Sequence, residues 1–169
     1  MNTIEAIHTR RSIRKYSDRP VEKEKIIEIL KAAMMAPSAC NQQPWRFLVI
    51  DDRALLDKIP DIHEDAPMCR QASAAILVIG DPSLETCPGF WVQDCSAAVQ
   101  NLLLAAHDFG LGAVWTGLYP KEKKVNGIRK MFGLPDNVIP LALIPLGYPA
   151  EEIVSEDRYK EDRVKYNRW

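Results

Sequence analysis

Ala36-Pro37-Ser38-Ala39-Cys40-Asn41-Gln42-Gln43-Pro44-Trp45-Arg46-Phe47 joins a helical pattern to an apolar run. Pro37 stops the helix, and Pro44 stiffens the exit. Trp45 is too large an apolar group to leave in water. Between them, Ser38, Asn41, Gln42 and Gln43 carry side chains that donate and accept hydrogen bonds. A stiff loop with an aromatic anchor and several carboxamides suits a flat, polar-edged ligand; a plain turn over a packed Trp is the alternative.

Before this loop, Ile26, Ile27, Leu30, Ala33 and Met34 recur at helical spacing and predict a helix near Glu22–Met35. Ala36 ends it, because a residue before proline is pushed out of the helical region. After the loop, Phe47–Ile50 reads as a buried strand. A short helix over Arg53–Ile59 is stopped by Pro60, and Asp61–Arg70 gives no clear pattern. Ala74–Ile79 is a second buried strand, and Ser83–Gly89 is a loop. Gly89–Gly110 carries the longest helical pattern, with Val92, Cys95, Val99, Leu102, Leu103, Ala106 and Phe109 on one face. Ala97, Ala98 and Ala105 widen that face, so the helix is buried or shared with a partner chain.

The pattern then predicts a strand over Ala113–Tyr119 and a helix over Lys121–Phe132 with Gly133 behind it. Leu141–Gly147 is a further strand, which Pro145 demotes to an edge or a bulge. The segment Ala150–Trp169 is mostly charged, yet it holds Tyr159, Val164, Tyr166 and Trp169. A segment with so many large apolar groups is expected to lie on a surface, such as that of a second subunit. Near the start, Arg10-Arg11-Ser12-Ile13-Arg14-Lys15-Tyr16 places four basic residues in six, with no acid among them. This is a local attractor for anions, or else a solvated run.

The 169 residues fit one domain, 1–169, with 47% apolar and 27% charged residues. A net charge of −1 argues against nucleic acid and anionic membrane as partners. Cys40, Cys69, Cys87 and Cys95 show neither C-x-x-C nor zinc spacing. They read as reduced thiols of a cytoplasmic protein, consistent with the lack of a signal core or membrane-length run. Cys40 itself reads as a small neutral filler more simply than as a redox group. Gly110-Leu111-Gly112 lacks the third glycine of a dinucleotide fingerprint and precedes a strand rather than a helix. His8, His63 and His107 are too scattered for a metal cluster or a triad, and His107 reads as structural. Any chemistry must come from a bound cofactor.

Three separated segments together resemble the FMN-dependent nitroreductase family: Arg10–Tyr16, the Pro37–Trp45 loop, and Gly110–Gly117 after the alanine-rich helix. The segment Asp157–Trp169 is similar to that family's C-terminal end. The resemblance implies an α+β fold, a central and mainly antiparallel sheet flanked by helices, in an intertwined homodimer with FMN at the interface. Arg10, Arg11 and Ser12 match the segment that holds the FMN phosphate and ribityl chain, where guanidinium supplies charge-assisted donors. Arg14 matches a cation at the pyrimidine edge, which favours the negative charge that develops on reduction. Pro37, Ser38, Ala39 and Asn41 match a loop reaching the flavin from the partner chain, with Gln43 alongside. Thr116 and Gly117 match a turn facing the ring, and Arg158 matches a second phosphate ligand.

The chain lacks the helical insertion that many members place over the flavin. It carries Trp115-Thr116-Gly117 where longer members show a Pro-Glu-Gly type turn. The implied activity is hydride transfer from NADH or NADPH, through flavin N5, to a nitroaromatic, quinone or similar small-molecule acceptor by a ping-pong mechanism. The catalytic groups are the cofactor's rather than any side chain's. An offshoot that dehalogenates or fragments its ligand, or a flavin carrier without turnover, is compatible with the same residues.

Overall fold

The computed structural model describes residues 1–169. Five helices are present: α1 (Thr3–Thr9), α2 (Lys23–Met34), α3 (Arg53–Ile62), α4 (Trp91–Asp108) and α5 (Glu122–Phe132). They surround strands β1 (Trp45–Ile50), β2 (Ala74–Gly80), β3 (Gly112–Ala113), β4 (Thr116–Gly117) and β5 (Ile139–Gly147). All strand pairings are antiparallel, in the order β1-β2-β5-β3, with β4 also on β5. The fold is therefore α+β with a central antiparallel sheet, as the family resemblance implies.

Strand β2 is buried along its whole length because both faces of the sheet are covered. Ala74, Ile76 and Val78 pack with α2 and α4, through Ile29, Ala33, Cys95, Val99 and Leu102. Ala75, Leu77 and Ile79 pack with α3 and α5, through Leu56, Ile59, Val125 and Ile128. A period of two along the strand thus feeds two cores, which is why its sequence shows no polar alternation.

Four expectations need correction. Pro145 lies in β5, which is paired on both sides rather than at an edge; Pro145 stands opposite Ala75 of β2. On the other side, Val114 N still donates to Pro145 O at 3.4 Å. The missing N–H shows instead in the neighbour, where one expected strand is split into β3 and β4 across from Ile144 and Pro145. The β2–β5 ladder does shift register, but between Val78 and Ile79, opposite Ala142 and Pro140.

Pro60 does not stop α3, which runs on to Ile62. It forfeits one hydrogen bond, while buried Leu56 and Ile59 hold the helix down and His63 N donates to Ile59 O at 2.9 Å. In α2 the buried side chains are Ile26, Ile29 and Ala33, whereas Ile27 and Met34 are exposed. Finally, Cys40 and Cys87 are paired in a disulfide, with Cα atoms 6.3 Å apart; only Cys69 and Cys95 are free thiols, and both are buried.

The last residues leave the body of the molecule. Val154, Tyr159, Tyr166 and Trp169 are all exposed, Trp169 completely. A one-turn helix at Glu161–Arg163 is the only regular element there. No helix is long and apolar enough to cross a membrane.

Candidate functional site

The arginine segment is fastened along the outer edge of the sheet. Ser12 bridges Ala113 in parallel, and Ile13 N donates to Ala113 O at 3.1 Å. Gly112 is needed here, since a Cβ on it would come within 2.6 Å of the Ile13 side chain. Tyr16 closes the segment: it is buried, bridges Pro149, and its hydroxyl lies 2.7 Å from Ile13 O and 3.1 Å from Pro145 O. Ile13 and Tyr16 thus anchor the segment and leave its basic residues half-buried or exposed.

Arg10, Arg11 and Arg158 form a cation cluster. Burial and the charges of Arg11 and Arg158 hold the Arg10 guanidinium below its ordinary value. The Arg11 guanidinium donates through Nη1 to His8 O at 3.0 Å and to Arg10 O at 2.6 Å, and through Nε to Val154 O at 3.4 Å. Its Nη2 is buried without a partner. Arg14 is exposed, and the backbone N–H groups of Arg14 and Lys15 donate to Glu151 Oε1 at 2.6 and 3.2 Å. Farther along the same edge, the Thr116 hydroxyl donates to Leu143 O at 2.7 Å, which fixes the turn into Gly117. Gly117 is exposed, and open space lies where a Cβ would stand.

The Pro37–Gln43 loop lies at the other edge, because it opens into β1 and two strands, β2 and β5, separate β1 from β3 and β4. Its backbone is unusual. Cys40, Asn41 and Gln43 have φ of 50°, 51° and 48°, the left-handed region. Each costs about 1–2 kcal/mol for a residue with a Cβ, so the loop must be held from outside.

Asp94, buried on the first turn of α4, provides one tie: its carboxylate accepts from Ala39 N at 3.0 Å and Gln42 Nε2 at 2.7 Å. Gln42 Oε1 accepts from Thr86 N and Cys87 N at 3.0 and 2.9 Å, and the Cys40–Cys87 disulfide spans the same two loops. Ser38 Oγ accepts from Gln43 N at 3.0 Å, and Gln43 Nε2 donates to Asn41 Oδ1 at 2.9 Å. Gln42 thus serves as a strut, while Asn41 and Gln43 are exposed, Ser38 is half-buried with its hydroxyl bonded inside the loop, and Pro37 and Ala39 lie beside them.

Sequence reasoning missed the residues that brace these parts. Asp94 is the one acid on the buried face of α4, and that misfit with the pattern was its signal. Glu85 is a second brace: its Oε1 accepts from Phe90 N and Trp91 N at 2.9 and 2.8 Å and so caps α4. His63 had no signal. It is fully buried, both ring nitrogens lack partners, and burial together with the Lys124 charge lowers its pKa. His107 is structural, as expected, with Nε2 2.8 Å from Thr9 Oγ1.

The residues on this edge fit a phosphate-bearing cofactor. Three guanidinium groups repel one another in the absence of an anion, and one of them keeps a buried donor unpartnered. A dianion answers both conditions.

Comparison with known proteins points the same way. The Nitroreductase family profile matches residues 7–67 and 66–148. A Methanothermobacter thermautotrophicus protein is 55% identical over 169 residues, covering 100% of this chain and 88% of its own. It carries the provisional name NADH dehydrogenase/NAD(P)H nitroreductase. The solved FMN-dependent nitroreductase of Clostridium difficile superposes with a TM-score of 0.91 at 31% identity, over 99% of this chain and 100% of that one. A provisionally named nitroreductase of Desulfovibrio desulfuricans, solved in complex with FMN, gives 0.85 at 34% identity, over 100% of this chain and 99% of that one. The chain belongs to the nitroreductase family.

Proposed function

We propose that two copies of this chain form a homodimer with two FMN sites, each built from the cationic edge of one protomer and the Pro37–Gln43 loop of the other. Family membership and the relatives' names make the chain an NAD(P)H-dependent flavin oxidoreductase. The observation that carries the shared site is the separation of its two halves at opposite edges of one sheet. Exposed apolar groups on α1, α2 and the C-terminal segment support the dimer: Ile4, Ile7, Ile27, Met34, Met35, Tyr166 and Trp169 have no cover within one protomer.

Arg10, Arg11, Ser12 and Arg158 would hold the phosphate and ribityl chain. Arg14 would set a positive charge at the pyrimidine edge, and Thr116–Gly117 would present an open backbone surface to the ring. Ser38, Ala39, Asn41 and Gln43 of the partner, framed by Pro37, would close the other side. When bound, FMN supplies hydride chemistry, accepting from NADH or NADPH and delivering two electrons to a nitroaromatic, quinone or similar acceptor that takes the donor's place. The chain contributes positioning, exclusion of water and a fixed positive field rather than an acid or base. We place the whole of 1–169 in one such unit and the enzyme in the cytoplasm, where NAD(P)H is held. Purified protein supplied with FMN should oxidise NADH or NADPH only when a quinone or nitro acceptor is present. Failure with both donors and both acceptor classes overturns the reading.

A further inference from the structure

We propose that Cys40–Cys87 is a reversible redox modification site at which dithiol reductants lower the protein's affinity for FMN. The inference rests on the reading that the Pro37–Gln43 loop serves a flavin site. The pair is placed for that role: Cys40 lies between Ala39 and Asn41, and Cys87 lies in the loop that approaches from α4.

Four observations support it. Cys40 is exposed, so a reductant can reach it, whereas Cys69 and Cys95 are sealed in the two cores. Burial pushes both of those thiols up to about 12, which leaves them unreactive at neutral pH. The loop that Cys40 anchors holds three non-glycine residues in the left-handed region, a conformation that external ties must maintain. Those ties are few. Apart from the disulfide, only the Gln42 carboxamide joins this loop to Thr86 and Cys87, with Asp94 holding Ala39 and Gln42 from below.

One thiolate of the dithiol attacks Cys40 Sγ, the Sγ–Sγ bond breaks, and Cys87 leaves as a thiolate that takes up a proton. The second thiol of the reductant attacks the mixed disulfide and releases Cys40 as a thiol. Two electrons pass to the protein, and the reductant ends as its own disulfide. The loop then relaxes toward unstrained backbone and spends less time in the conformation that closes the flavin site. If that conformation falls to about a tenth of the population, the apparent Kd for FMN rises about tenfold.

The test uses full-length protein, oxidised or treated with dithiothreitol and desalted, with thiols counted under denaturing conditions and FMN binding read by flavin fluorescence. Oxidised protein should titrate two thiols, Cys69 and Cys95, and reduced protein all four. The reduced form should bind FMN about tenfold more weakly, and reoxidation should restore affinity. Cys40→Ser and Cys87→Ser should match the reduced wild type and ignore redox treatment. Cycling the wild type keeps the test valid if either variant folds poorly. Four thiols in the oxidised protein, or equal FMN affinity in both states, overturns the proposal alone. No FMN binding in either state overturns the flavin reading, and this proposal with it.

Discussion

Replacing Asp94 by Asn changes one oxygen for an NH2 group at the centre of the loop's support. Asp94 accepts two hydrogen bonds, from Ala39 N at 3.0 Å and Gln42 Nε2 at 2.7 Å. The introduced amide can keep the first as a neutral bond, but it then turns an NH2 toward the Gln42 NH2. Gln42 cannot flip to accommodate it, because its Oε1 already accepts from Thr86 N and Cys87 N. One charge-assisted bond worth about 1.5–3 kcal/mol is lost and the other is weakened, for a total of about 2–3 kcal/mol. In a chain of this size that lowers the melting temperature by about 4–12 °C. Thermal melts at fixed protein concentration should show this, and FMN affinity should fall with it. Adding Gln42→Glu places an acceptor opposite the introduced amide while still accepting from Thr86 and Cys87, so the double variant should regain at least half the loss. A melting point within about 1 °C of wild type for the single variant, or no recovery in the double, refutes the account of how the loop is held.

Three other outcomes are expected. Arg10→Ala should raise the Kd for FMN by about 10–100-fold, the equivalent of one charge-assisted bond, yet leave the apoprotein no less stable, because it relieves repulsion from Arg11 and Arg158; titration and melts of apoprotein check the two halves. Gly80→Ala should destabilise the fold by about 1–3 kcal/mol in chemical denaturation, because its Cβ would overlap the Trp91 ring. His63 is neutral in the fold, with a pKa below its ordinary 6.5, and Lys124, Asp65 and Glu64 are the charges around it. Its stabilising share is therefore present above pH 6.5 and is lost as pH falls through that value, since the unfolded chain takes up the proton first. His107 shifts in the same direction. Asp65 and Glu64, whose values are depressed, act only at lower pH. Unfolding free energies at pH 7.5 and 5.5 should differ less in His63→Leu than in wild type, and an unchanged difference refutes the assignment.

The sequence carried most of the fold because the signals were local. The apolar runs at Phe47–Ile50 and Ala74–Ile79 and the long Gly89–Gly110 pattern correspond to β1, β2 and α4. It misplaced features whose cause lies elsewhere in space. Pro145 reads as an edge or a bulge, yet its lost hydrogen bond is absorbed in the neighbour, by the split between β3 and β4. Ile27 and Met34 fit the helical period but face outward, since an exposed apolar position on a helix has the same composition as a core one. The disulfide joins residues 47 apart with no spacing motif to announce it. In the candidate site, the arginine segment and the loop were legible as residue types. The supports contributed by Asp94, Glu85 and Gln42 depend on which elements meet, and periodicity does not encode that.

Subunit mixing decides whether the flavin site is divided between two protomers. One variant loses the edge half of the site (Arg10→Ala with Ser12→Ala), and a second loses the loop half (Ser38→Ala with Asn41→Ala). Each alone should bind FMN poorly. After unfolding and refolding together, mixed dimers contain one site with both defects and one with none. Tight FMN binding should then return at about a quarter of all sites, as random pairing requires. If the mixture binds no more FMN than the separate variants, the site lies within a single chain and the account is wrong.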